Sequence, residues 1–154
     1  MRPTISDRMR HSEPGKFSRA ATKRVWSNTS TPLFQGDHIY SARTSGELIC
    51  VEAATGHVLW ETNSVTSLKN GACVHLTLNG NSVLLFTDQG NLIRARLSPH
   101  GYQELGRARL LEPTHPCNGR NVVWPPPAYA NRRVFTRNDK ELVCAELGEP
   151  SAKR

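Results

Sequence analysis

Apolar and polar residues alternate along this chain in short runs. Residues 33–35, 38–43, 47–53 and 57–62 are apolar or alternating, and Gly36, Ser45-Gly46 and Thr55-Gly56 separate them. Each run is strand length, and each break carries residues suited to a tight turn. Four such runs within about 30 residues predict an antiparallel meander. No stretch sustains a 3.6-residue apolar period with caps at both ends, so helix is a minor component at best. The longest aliphatic–aromatic run, Val83-Leu84-Leu85-Phe86, is too short for a membrane-spanning helix. The pattern predicts an all-β body.

The alternation is also repeated. Gly36-Asp-His-Ile39-Tyr40 followed by Gly46-Glu-Leu48-Ile-Cys50-Val-Glu52 returns 44 residues later as Gly80-Asn-Ser-Val83-Leu84 and Gly90-Asn-Leu92-Ile-Arg94-Ala-Arg96. It returns again as Asn131-Arg-Arg-Val134-Phe135 and Lys140-Glu-Leu142-Val-Cys144-Ala-Glu146, shifted by 51 and then 50 residues. A four-stranded repeat of this period predicts a β-propeller blade. One blade cannot bury both of its faces, so several must stack. The template places Leu48, Leu92 and Leu142 at one apolar position of the third strand. Cys50 and Cys144 share that face two positions on, where cysteine is expected to pack as a small hydrophobe.

Cys50-Val-Glu-Ala-Ala-Thr55-Gly56-His-Val-Leu-Trp60 resembles the tryptophan-docking motif of the pyrroloquinoline-quinone-type (PQQ-like) propellers. Asn138-Asp139-Lys140-Glu141-Leu142-Val143-Cys144 resembles the start of a third strand in another blade, and Lys23-Arg24-Val25-Trp26 the end of a fourth strand. The resemblance covers roughly residues 30–147. It is weakest in the second copy, where Ser98-Pro-His-Gly101-Tyr replaces Thr-Gly and no tryptophan follows. It implies four-stranded antiparallel blades of a PQQ-like propeller, here a partial ring of about three blades, with repeats at about 30–62, 73–111 and 126–148. Such rings usually close with about eight blades, so the resemblance points to a C-terminal piece of a longer propeller. Thr55 and Gly56 are expected to form the turn between strands three and four. Trp60 is expected to lie between adjacent blades with its indole N–H on a backbone carbonyl.

Three functional readings follow. The first is a non-catalytic binding or protein-interaction scaffold, whose partner is another protein or the remainder of the propeller. The second is part of a quinoprotein dehydrogenase, and PQQ and calcium enter only there. The family's adjacent Cys-Cys pair is missing, as is a carboxylate cluster with calcium spacing. No cofactor or catalytic residue is therefore expected. The third reading is nucleic-acid binding through a basic leader, and it ranks last.

Charge explains that ranking. The net charge is +7. Residues 1–24 hold seven Lys/Arg against Asp7 and Glu13, so most of the basicity sits in this leader, expected to be a loop or poorly ordered. The body, 25–148, is nearly balanced, and 149–154 form a polar tail. The N-terminus lacks the apolar core of a signal peptide although the family is often exported, so the sequence leaves the compartment open. The four cysteines have neither zinc nor redox CxxC spacing, and the six histidines show no metal-ligand spacing.

Two residue groups remain as candidates. The Pro-rich insertion Leu111–Pro127 holds Arg120, Asn121 and Trp124, which together could grip an anionic or sugar-like group by charge, amide and stacking. Arg94, Arg96, Arg107 and Arg109 lie on neighbouring antiparallel strands and are expected to form one basic patch for an acidic partner or phosphate. Asp88 and Asp139 are expected to cap their own turns.

Overall fold

The structure, a computed structural model, describes Ser27 and residues 29–148. The described residues contain strands and turns and no helix. Strands β1 (Leu33–Gln35), β2 (His38–Ala42), β3 (Leu48–Glu52) and β4 (Val58–Thr62) form a four-stranded antiparallel meander. Strands β5 (Val74–Asn79), β6 (Ser82–Thr87), β7 (Asn91–Ser98) and β8 (Gly101–Arg109) form a second. A hairpin of β9 (His115–Cys117) and β10 (Arg120–Val122) occupies the insertion. Strands β11 (Ala128–Ala130), β12 (Arg133–Arg137) and β13 (Leu142–Glu146) make a three-stranded third sheet.

The first hairpin of each sheet shows how the template survives substitution. Gly36 and Gly80 turn at φ 58°, and the third copy reaches the same region with Asn131 and Arg132 at 50° and 58°. Asparagine tolerates that conformation and arginine less readily, so the turn persists at some backbone cost. Gly90 is constrained from two sides. Its φ is 76°, and a Cβ there would overlap the Leu111 carbonyl. Its own carbonyl accepts from the N–H of Leu110 at 2.9 Å, which ties the exit of β8 back to the start of β7.

The sheets bury their faces against one another. Ala42, Leu48, Val83, Leu85, Ile93 and Ala95 join Val65 and Val74 between the first two sheets. Leu84, Phe86 and Leu92 on the opposite face of the second sheet meet Val134, Leu111 and Val123 toward the third. Burying both faces is what stacking requires of a central blade. The repeated leucine records where stacking stops: Leu48 is 0% exposed, Leu92 7% and Leu142 72%. Cys144 is exposed with Leu142, whereas Cys50 is fully buried. The expectation that both cysteines pack as core residues thus fails for Cys144, because no sheet covers that face of β13 among the described residues.

Candidate functional site

The insertion folds around a carboxylate. Asp88 follows β6 and is 0% exposed at its side chain. Its Oδ2 accepts from Arg120 Nη2 at 2.5 Å, and its Oδ1 from the Thr66 hydroxyl at 2.5 Å. Its backbone N–H donates to the Cys73 carbonyl at 2.9 Å, and its carbonyl accepts from Val123 N–H at 2.8 Å. One residue thereby joins the β4–β5 connection, the second sheet and the insertion. Capping falls to its neighbours instead. Thr87 Oγ1 accepts from the N–H groups of Gln89 and Asn91, and Asn138 Oδ1 from those of Lys140 and Glu141. Asp139 is exposed and directs Oδ2 toward His115 Nδ1 at 3.3 Å. The cap expectation is corrected at both aspartates.

Arg120, Asn121 and Trp124 do not converge. Arg120 is 8% exposed at its side chain and spent on Asp88, with Nε and Nη1 lacking a protein partner among the described residues. Asn121 is the next residue of β10, so pleating turns it the other way, and it is exposed. Trp124 is half-buried and lines a 200 Å³ recess beside His115, Arg137 and Asp139. Its carbonyl is 3.2 Å from His75 Nε2. A carbonyl only accepts, so Nε2 carries the proton there. Burial pushes the His75 pKa below the ordinary histidine value, which favours the neutral ring.

The four arginines also separate. Each pair shares a face of its own strand, but register opposes them. Arg107 stands across from Ile93, and Arg94 across from Gly106. Arg94 and Arg96 therefore face the third sheet, and Arg107 and Arg109 the first. Arg107 donates to the carbonyls of Ser64 and Val65 and pairs with Glu104, while Arg109 pairs with Glu112. Sequence alternation identified each pair but could not supply the register that divides them.

Trp60, on β4, packs against the first inter-sheet core, and its Nε1–H donates to the Ser98 carbonyl at 2.8 Å. Its ring lies 6.0 Å from that of Tyr40. Gly56 has φ 72°, and its N–H donates to the Glu52 carbonyl at 2.8 Å. Thr55 donates its hydroxyl to Glu52 Oε2 at 2.5 Å. Lys23–Trp26 and the basic leader lie outside the described residues.

The donor set bears on a quinone and calcium. Asp88, the fully buried carboxylate, is occupied by Arg120 and Thr66, and among the described residues no three His, Cys, Asp or Glu side chains gather as metal ligands. No helix among them is long and apolar enough to cross a membrane, which says nothing of β-barrels.

Meandering four-stranded sheets stacked face to face, joined by a tryptophan from one outer strand to the next sheet, define a PQQ-like β-propeller segment. The family model for outer membrane protein assembly factor BamB matches residues 15–98, just over half of the chain, and the chain belongs to that family. BamB from Moraxella catarrhalis is similar in structure, with a TM-score of 0.54 and 14% identity over 75% of this chain and 32% of that one. This chain therefore spans about a third of that protein's length. Quinohemoprotein alcohol dehydrogenase from Comamonas testosteroni aligns at a TM-score of 0.45 and 14% identity, over 73% of this chain and 17% of its own. No curated protein matches in sequence.

Proposed function

We propose that this chain is a non-catalytic propeller module that works through its surfaces as a protein-interaction scaffold. The observation that carries the reading is the outer face of the third sheet. Leu142 stands at the position buried in the other two sheets and is 72% exposed, with Cys144 and Arg137 exposed beside it. A strand face patterned for burial, left open to solvent, is a surface that another polypeptide covers. That polypeptide is either the remainder of a propeller or a separate protein. Family membership supports the reading, since the matching family is named for an assembly factor.

Site-specific photo-crosslinking in cells tests it. A benzophenone side chain at position 142 should give one discrete protein adduct, identified by mass spectrometry. The adduct should disappear when Arg137 and Cys144 are both changed to Glu. A probe at Gln103, exposed on β8, should not reproduce it. No adduct from position 142 above that control would refute the reading.

A further inference from the structure

The first two sheets show what a complete inter-sheet contact contains. Trp60 of β4 stands across from Cys50 of β3, fills the outer end of the interface and bonds to Ser98. In the second sheet Arg94 takes the place of Cys50, and the residue across from it on β8 is Gly106. No side chain fills the corresponding position toward the third sheet. A recess of 260 Å³ lies there, lined by Leu84, Leu92, Arg94, Gly106, Ala108 and Leu147. It adjoins a second recess of 440 Å³ that shares Leu84 and Leu147 and reaches Tyr129 and the exposed Leu78. Gly148, 50 residues after Ser98, is the repeat counterpart of the residue whose carbonyl accepts from Trp60's indole N–H.

The charges around this cleft have one prevailing sign. Arg94 lines it and, among the described residues, donates to the Ser82 hydroxyl at 3.2 Å with no carboxylate partner. Arg132 lines the second recess, and Arg96 is exposed on the same face of β7 as Arg94. Neither Arg96 nor Arg132 has a carboxylate partner among the described residues, whereas the nearby acids Glu104 and Glu146 are paired with Arg107 and Arg133. We infer that the cleft at Gly106 receives an aromatic side chain carried by an acidic segment of a partner protein. The aromatic ring supplies what Trp60 supplies one interface earlier, and the flanking carboxylates meet the unpaired guanidinium groups. This rests on the scaffold reading in general but not on the Leu142 face, so the two can fail separately.

A fluorescein-labelled peptide, Asp-Glu-Gly-Trp-Gly-Glu-Asp, titrated with the whole chain and followed by anisotropy, tests the proposal. Saturable binding is expected. It should weaken at least about tenfold when Ala replaces the peptide's tryptophan, and similarly when Lys replaces its acids. Gly106→Trp should fill the cleft from within. A Cβ at Gly106 meets nothing within 4 Å, so the variant has room to fold, and peptide binding should be lost while the β-sheet circular dichroism is kept. The exposed pair Arg96→Glu with Arg132→Glu gives a second variant, which should also weaken binding at least about tenfold. Absent saturation, equal affinity for the alanine peptide, or undiminished binding by folded Gly106→Trp would overturn the proposal. So would dimerisation in sedimentation that Gly106→Trp abolishes, because the occupant would then be a second copy.

Discussion

Replacing Arg120 by Met should destabilise the fold by about 3 kcal/mol, through a residue whose sequence context suggests ligand binding. The pair is buried on both sides, with side chains 8% and 0% exposed, and Oδ2 of Asp88 lies 2.5 Å from Nη2. Removing one member of such a pair typically costs about 3–5 kcal/mol, because the other charge stays buried and uncompensated. Two features place Arg120→Met at the low end. Thr66 still donates to Asp88, and the substitution also removes Nε and Nη1, two buried donors without protein partners. For a chain of this size about 3 kcal/mol corresponds to roughly 12 °C in Tm. Thermal melts by circular dichroism on wild type, Arg120→Met, Asp88→Asn and the double variant would measure it. The double variant should be about 2 kcal/mol more stable than the sum of the singles allows. A loss below about 1 kcal/mol for Arg120→Met, or additive singles, would refute the claim that this pair fastens the insertion to the second sheet.

Three further outcomes follow from the same contacts. Trp60→Phe keeps most of the ring but leaves the Ser98 carbonyl without its indole donor, and should cost about 1 kcal/mol by chemical denaturation. Gly90→Ala combines a φ of 76° with overlap on the Leu111 carbonyl, and should cost more than the ~1 kcal/mol of an unstrained glycine replacement, read as a lower Tm. His75 has a folded pKa below its unfolded value near 6.5, so the unfolded chain binds the proton more readily. Its contribution to stability is complete above about pH 6.5 and is lost as pH falls from there toward the folded pKa. His75→Gln, which can still donate to the Trp124 carbonyl, should flatten Tm against pH between about 5 and 7.

What was legible in the sequence is what repeats locally. Gly36, Gly46 and Thr55-Gly56 punctuate the first meander, and its strands β1 to β4 fall within the four alternating runs. The missing tryptophan of the second copy was visible too, though not the cleft it leaves. Contacts between distant residues were not legible. Asp88 and Arg120 are 32 positions apart, and an aspartate after a strand reads as a turn cap whether it faces solvent or a guanidinium. The arginine pairs were divided by the β7–β8 register, which includes an irregularity between Arg94 and Ala95. Pairing of that kind depends on the turn and on packing, which strand alternation alone does not encode. The hairpin β9–β10 was hidden because Pro116 and Gly119 read as loop, although Asn118 and Gly119 form the turn at φ 48° and 77°.

On the scaffold reading proposed above, this propeller segment acts through its surfaces and not through a bound quinone. The most direct measurement is titration of the purified chain with PQQ and Ca²⁺, followed by tryptophan fluorescence and by dye-linked alcohol oxidation. Neither saturable quenching nor dye reduction is expected, since Asp88 is already held by Arg120 and Thr66. Stoichiometric quinone binding with calcium-dependent dye reduction would contradict it.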